Sequence, residues 1–258
     1  MNKILSSLKQ SFQIKNKKLL FLLLFIIQIG FFAVIIYLFI HYYTVFIESL
    51  DSVIQGIEQI SPDSLPGMQQ TLALYANMKN TTNILFTGLL AVYLAYALVN
   101  SLNWDFTNLL LNKKLGFPKY EIHFAVLAFI FLLPAMIMTK IVISSLVKIG
   151  FPEPMQVLFY LILLITWYFM MISFALINKY DLSQLKQHLK QTFIIGCKKA
   201  KILIPTCLII IAVLALFIYL ISLLQDVPYL SVNLLSIILF IIAVVWSRIY
   251  FLAAMKNL

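Results

Sequence analysis

Long apolar runs alternate with short polar, lysine-rich segments along the whole chain. Six of the runs are long enough to cross the hydrocarbon core of a bilayer, which takes about 20 helical residues. A helix satisfies its own backbone hydrogen bonds, so helices rather than open strands are expected in lipid. The pattern predicts an all-α polytopic membrane protein in which residues 1–258 form a single transmembrane domain. The predicted spans are Leu19–Phe39, Ile84–Leu102, Phe124–Val147, Val157–Ile177, Ile202–Leu224 and Leu230–Tyr250.

The composition supports this interpretation. Of 258 residues, 63% are hydrophobic and 11% are charged, whereas a soluble domain has about 25% charged residues. The net charge of +10 does not indicate a nucleic-acid partner, because the basic residues lie in short segments between the spans. In that position they face the anionic inner leaflet of a membrane.

The distribution of basic residues predicts the orientation. If the N-terminus is cytoplasmic, 16 lysines and arginines fall on the inner side and three, Lys79, Lys140 and Lys148, on the outer side. Cytoplasmic loops carry an excess of Lys and Arg. We therefore expect a cell-membrane protein with both termini in the cytoplasm.

The polar segments have predicted roles of their own. Residues 1–18 and 179–201 are expected to be basic, amphipathic cytoplasmic segments, and residues 103–122 a cytoplasmic loop. Residues 48–82 are expected to form a short external helical hairpin, because two prolines and a glycine within 62–67 end a helix.

An internal repeat links two of these segments. Leu8–Lys18 matches Leu189–Lys199, and each stretch directly precedes a span. On a helix, Ile4, Leu8 and Phe12 share one face while lysines occupy another, which is typical of a helix in the membrane interface. Trp104–Tyr120 is a looser third version, and whether it is a true repeat stays open. The candidate lipid-headgroup contacts are Lys9, Lys17, Lys18, Lys186, Lys190, Lys198, Lys199 and Lys201.

No motif for catalysis, a cofactor or a metal is present. His41, His123 and His188 are isolated in the sequence, and Cys197 and Cys207 fit no metal or redox spacing. We therefore predict a protein that is not an enzyme and has no cofactor.

Three polar residues within the spans are candidate intramembrane sites: Gln28, Lys140 and Arg248. Gln28 is expected to bond across helices. Lys140 and Arg248 are interpreted as anchors at the outer and inner interfaces, with a functional site as the alternative for Lys140.

Two kinds of resemblance bear on function, one in the overall pattern of the chain and one in a short segment. The alternation of basic, Phe-containing segments (Leu8–Lys18 and Leu189–Lys199) with helical hairpins resembles six-helix archaeal membrane proteins of unknown activity. It also resembles the membrane domain of some glycerophosphodiester phosphodiesterases. These resemblances imply an architecture rather than an activity.

The second resemblance is local. Residues 107–111 followed by 118–122 are similar to the loop by which type-2 ABC transporter permeases dock on an ATPase. That resemblance implies Leu109, Leu110, Leu111 and Pro118 as partner-docking residues. Two functions are thus expected: organising anionic lipids, or partners such as other membrane subunits, at the inner leaflet, or serving as a permease subunit with a separate ATPase.

Overall fold

The computed structural model describes residues 2–12, 17–58, 67–112, 118–146, 153–224 and 230–258. These residues form helices and contain no strand. The helices are α1 (Asn2–Phe12), α2 (Lys18–Glu58), α3 (Met68–Asn112), α4 (Lys119–Leu146), α5 (Glu153–Leu176), α6 (Leu185–Lys198), α7 (Ala200–Leu224) and α8 (Leu230–Lys256). Two 3-10 turns, Ile177–Lys179 and Leu182–Gln184, connect α5 to α6.

Five helices in the described part of the chain are long and apolar enough to cross a membrane, as the sequence predicts for a membrane protein. They lie in α2, α3, α5, α7 and α8. The remaining predicted span, Phe124–Val147, falls on α4, which is not among the five. The side chain of Lys140, on α4, lies outside the described part of the structure.

The chain divides into two compact units. One unit comprises residues 1–29 and 97–258, and the other comprises residues 30–96. Both α2, with 41 residues, and α3, with 45, exceed the length that a bilayer requires. At about 1.5 Å per residue, each is about twice as long as the hydrocarbon core is thick. Helix α2 continues 19 residues beyond Phe39, the predicted end of the first span.

Residues 30–96 form an antiparallel pair of helices. A Cβ at Gly88 would lie 2.9 Å from Tyr42, and a Cβ at Gly56 would lie 3.5 Å from Leu74. Between these contacts, the hydroxyl oxygens of Ser49 and Thr81 are 2.7 Å apart. The contacts recur every seven residues on both helices, the spacing of coiled-coil packing. The two helices of this unit therefore pack in register, and the predicted turn of the hairpin falls on residues 59–66, which lie outside the described residues.

The larger unit is built around the last part of α3. Leu110 forms an apolar cluster with Leu24 of α2 and with Val245 and Ile249 of α8. Helix α8 also packs against α7 and α1, while α5 packs against α4 and α6. The C-terminal part of α3 consequently lies in the core of this unit.

The segment 103–122, which the sequence predicts to be a cytoplasmic loop, is mostly helical in its described residues. Helix α3 continues to Asn112, and α4 begins at Lys119. The polar residues near the end of α3 are buried: Asn100, Ser101, Asn103, Asp105, Thr107 and Asn108 are all at most 8% exposed. No glycine or proline interrupts the sequence from Leu102 to Asn112, so the helix does not end with the apolar run. Trp104–Tyr120, the looser third version of the repeat, thus forms no separate interfacial helix within its described residues.

The two copies of the repeat have matching orientations. Ser7 and Ser11 of α1 are buried, as are their equivalents His188 and Thr192 of α6. Phe12 and Phe193 are the matching exposed aromatic residues, at 68% and 49%. Small and polar residues thus form the buried faces of α1 and α6, while Phe12 and Phe193 point away from the core.

Gly196 permits the close contact between α6 and α5. A Cβ at this position would lie 2.6 Å from Cε1 of Phe169, and the Tyr168 hydroxyl donates a 2.8 Å hydrogen bond to the Gly196 carbonyl. We expect Gly196→Ala to destabilise the protein by about 1–3 kcal/mol, the usual cost of overpacking. Denaturation of the purified protein in detergent would measure the change.

Gly30→Ala is the matched control, because nothing lies within 4 Å of a Cβ at Gly30. Alanine is the better helix former by about 1 kcal/mol, so this variant should be as stable as the native protein or more stable. Equal stability of the two variants would contradict the close packing at Gly196.

Candidate functional site

Arg248 lies inside the larger unit and joins three helices. Its guanidinium donates to Oδ1 of Asn100 on α3 at 3.0 Å and to Oε1 of Gln28 on α2. All three residues are buried, with Arg248 only 5% exposed. The interpretation of Arg248 as an anchor at the membrane surface is therefore wrong, because amide oxygens in the core surround its charge. The expectation that Gln28 bonds across helices is confirmed.

A second polar contact joins α3, α4 and α5. The Tyr120 hydroxyl accepts a 3.2 Å hydrogen bond from Nδ2 of Asn108 and donates a 3.3 Å bond to the Phe174 carbonyl. Burial, followed by the charge of Asp105, raises the pKa of Tyr120 well above its usual value. Tyr120 is therefore a neutral bridge between the three helices.

Lysines occupy the C-terminal end of α3. Nζ of Lys17 lies 3.0 Å from the Leu109 carbonyl and also donates to the Leu110 carbonyl, while Nζ of Lys256 lies 3.5 Å from the Leu111 carbonyl. A cation is favourable there, because the last carbonyls of a helix carry partial negative charge. Lys17 is thus engaged with the protein rather than fully available to lipid.

The predicted docking residues differ in their exposure. Leu110 is 6% exposed and belongs to the apolar cluster, which removes it from any docking surface. Leu109 and Leu111 are half-buried, and Pro118 is exposed.

His123 of α4 and His188 of α6 form a buried pair, which corrects the description of these histidines as isolated. Nδ1 of His188 lies 3.1 Å from Nε2 of His123, and Nε2 of His188 lies 3.0 Å from the Ser173 carbonyl. A carbonyl oxygen only accepts, so Nε2 of His188 carries the proton. Neutral His188 then accepts at Nδ1 from the N–H of His123.

The surroundings of the pair favour its neutral form. Burial, followed by the proximity of His123, lowers the pKa of His188 to about 4, with the Ser173 carbonyl acting in the opposite direction. Burial also lowers the pKa of His123, and the Tyr180 backbone and Asp181 oppose that effect. The pair is therefore a neutral hydrogen-bonded unit near pH 7.

His123 also forms part of a cleft of about 680 Å³. The cleft lies between the first turn of α4 and the turns that connect α5 to α6. Lys119 and Lys179 are exposed at this cleft. The remaining lining residues are Tyr120, Ile122, Ile177, Asn178, Tyr180, Asp181, Leu182, Ser183 and Gln184.

The other predicted headgroup contacts lie on exposed parts of the helices. We call the exposed lysines of α6 and its junction with α7 the α6 lysine surface: Lys186, Lys190, Lys198, Lys199 and Lys201. Lys9 of α1 and Lys18 of α2 are exposed as well. These seven side chains are available to a ligand outside the protein.

The chemistry of the site is polar and basic. Among the residues that the structure describes, no three His, Cys, Asp or Glu side chains are arranged to hold a metal ion. The histidine pair carries a proton donor and acceptor, and the cleft beside it carries two ammonium groups. This arrangement favours binding of an anion.

Sequence reasoning missed the histidine pair and the buried end of α3. The sequence did carry a signal for the close packing of α1 and α6. Ser7 and Ser11 form one pair of small residues four positions apart, and Thr192 and Gly196 form another, a spacing that marks close helix packing. His188 occupies the corresponding position one turn before Thr192. The contact with His123, 65 residues earlier, has no local signal.

No protein-family model, curated protein or solved structure matches this chain significantly.

Replacing Arg248 should destabilise the fold. Arg248→Ala leaves the oxygens of Gln28 and Asn100 without this donor in the core, and we expect a loss of about 2–4 kcal/mol. Lys256→Ala removes an exposed positive charge near the end of α8 and should change stability by less than about 1 kcal/mol. Denaturation in detergent would compare the variants, and equal losses would contradict the core position of Arg248.

The histidine pair should make stability sensitive to acid. His188 binds a proton near pH 6.5 when unfolded but only near pH 4 in the folded protein. The contribution of neutral His188 to the free energy of unfolding is therefore full above about pH 6.5. It is lost as the pH falls toward about 4, because the unfolded state binds the proton first.

His188→Gln keeps a donor for the Ser173 carbonyl and does not titrate. The unfolding temperature of this variant should depend less on pH between about 6.5 and 4 than that of the native protein. Thermal unfolding across this range is the measurement, and parallel curves would refute the assignment.

Proposed function

We propose that this chain is a non-catalytic membrane protein that binds and organises anionic lipids at the inner leaflet. In this proposal six helices cross the cell membrane, and both termini are cytoplasmic. The α6 lysine surface and Lys9 of α1 then contact lipid headgroups. The observation that carries the proposal is the exposure of these lysines on helices that also expose Phe12 and Phe193.

The packing of α1 and α6 supports this proposal. Each helix buries its small polar residues, so the apolar Phe and the charged Lys side chains both remain outside the core. Phe12 stacks on Trp246 at 6.0 Å while staying 68% exposed. A helix with exposed apolar and basic residues gains free energy at an interface both from apolar burial and from anionic headgroups.

The charges support binding of several lipids rather than one. A Lys near an anionic membrane surface contributes about 1 kcal/mol, and this attraction decays within a Debye length. The five lysines of the α6 lysine surface together supply several kcal/mol on this scale. This attraction depends on salt and does not require a specific headgroup.

The permease hypothesis has less support. Leu110 lies in the core, and the carbonyls of Leu109 and Leu111 are engaged by lysines. Pro118 is exposed and Leu109 and Leu111 are half-buried, so only part of the predicted docking set could contact an ATPase. Purification from native membranes tests this alternative, because a permease subunit should retain an ATP-binding partner.

The lipid proposal is tested by Lys186→Gln/Lys190→Gln. Reconstituted in nanodiscs of phosphatidylcholine and phosphatidylglycerol, this variant should retain less phosphatidylglycerol than the native protein. The expected loss is about 2 kcal/mol in total, from about 1 kcal/mol for each lysine. Lipids that remain with the protein after re-extraction would be quantified by mass spectrometry.

Lys186→Arg/Lys190→Arg is the matched control, because it keeps both charges at the same positions. This control should retain native lipid selectivity, and high salt should weaken the selectivity of the native protein. A Gln variant with unchanged selectivity would remove the basis of the proposal.

A further inference from the structure

We propose that the cleft beside the histidine pair is a binding site for a single phosphate group, with binding strengthened when His123 takes up a proton. This inference deepens the proposed function, because an anionic lipid headgroup is one source of such a phosphate. A soluble phosphate compound is the other source. The site is distinct from the α6 lysine surface, which attracts many headgroups without a pocket.

The cleft has the charges that a phosphate requires. Lys119 and Lys179 approach it from two different elements, the start of α4 and the 3-10 turn after α5. The first backbone N–H groups of α4 also lie at this end, where a long helix carries partial positive charge. Asn178 and Ser183 add neutral polar groups to the lining. Two cations and several donors around one opening are typical of a phosphate site.

The lining contains one acidic residue, Asp181. Asp181 forms a capping box with Gln184 at the start of the second 3-10 turn. The main-chain oxygen of Asp181 accepts a 2.9 Å bond from the Gln184 N–H, and Oε1 of Gln184 accepts a 3.4 Å bond from the Asp181 N–H, while neither lysine is buried. The cleft retains a net positive charge of one at neutral pH, with Lys119 and Lys179 against Asp181.

His123 connects the cleft to the interior. It lines the cleft, yet it is only 2% exposed, and its Nε2 is used by His188. A proton on His123 keeps that bond and adds a positive charge at the wall of the cleft. His188 does not share this role, because its two ring nitrogens already serve His123 and Ser173.

Proton uptake and anion binding therefore strengthen each other. Burial lowers the pKa of His123, and a bound phosphate would raise it, so affinity should rise as the pH falls below neutrality. The ionisable groups around the pair are few in the described residues. They are Lys119, Tyr120 and Glu121 of α4, Lys179 and Asp181 of the connecting turns, Tyr180 and His188.

The experiment uses the full chain purified in a neutral detergent. Binding of phosphatidylglycerol is followed by native mass spectrometry, and binding of inorganic phosphate by phosphorus NMR. The phosphodiester of phosphatidylglycerol stays anionic throughout, so a pH effect on its binding belongs to the protein. Affinity should rise as the pH falls below neutrality, by up to about fivefold, the effect of one added charge near the ligand.

Two variants and one control separate the parts of the site. Lys119→Gln/Lys179→Gln should lower affinity about 25-fold, at about fivefold for each lysine. In His123→Gln the rise in affinity on acidification should be absent, because glutamine does not titrate. Lys3→Gln/Lys79→Gln removes the same charge outside the cleft and should bind phosphate as the native protein does. Circular dichroism would verify that each variant is folded.

The outcomes distinguish this inference from the proposed function. Tight binding of phosphatidylglycerol with weak binding of inorganic phosphate identifies a lipid headgroup, and comparable binding of both identifies a soluble ligand. If Lys119→Gln/Lys179→Gln binds both ligands as well as Lys3→Gln/Lys79→Gln does, the cleft is not a phosphate site. That result would leave the lipid selectivity of the α6 lysine surface intact, since Lys186→Gln/Lys190→Gln tests it separately.

Discussion

The end of α3 imposes the main constraint on this structure, because it places a polar sequence where water has little access. Asn100, Asp105 and Asn108 are each at most 8% exposed. A polar group removed from water destabilises the fold unless it is hydrogen-bonded. Arg248 supplies donors to Asn100, and Tyr120 accepts from Asn108. The positions of α2, α4 and α8 follow in part from the need to bring these partners to α3.

Lysine has two separate roles in the same unit. Lys17 and Lys256 reach the last carbonyls of α3, where a positive charge is favourable in the protein itself. Lys186 and Lys190 remain exposed and have no such task in the fold. A count of basic residues near a membrane surface therefore overstates the number that are free to bind lipid.

Much of the helical architecture could be predicted from the sequence, because apolar periodicity and length are local properties. The predicted span from Val157 to Ile177 corresponds to α5, which ends one residue earlier at Leu176, and the predicted span from Leu19 to Phe39 lies within α2. The fate of residues 103–112 was not predictable from hydropathy. A polar helix in a core and a polar loop in water have similar compositions, and only the tertiary partners distinguish them.

The candidate site shows the same limit in a different form. His123 and His188 are 65 residues apart, and their contact depends on how α4, α5 and α6 pack together. Lys119 and Lys179 were visible as basic residues, but their shared cleft was not, because no sequence motif joins them. Polar residues within an apolar chain are thus predictable as candidates, while their partners require the fold.

The two copies of the repeat provide an internal comparison for the chemistry of the cleft. Ser11 and Thr192 are both buried hydroxyl residues, so this position serves helix packing in both copies. The equivalent positions one helical turn earlier differ in their partners. Ser7 of α1 accepts a 2.9 Å hydrogen bond from Asn257, whereas His188 of α6 bonds to His123 and Ser173. A serine is sufficient to pack a helix at this position. The imidazole of His188 is therefore the feature that packing alone does not require, and its hydrogen bond to His123 places that difference at the wall of the proposed phosphate site.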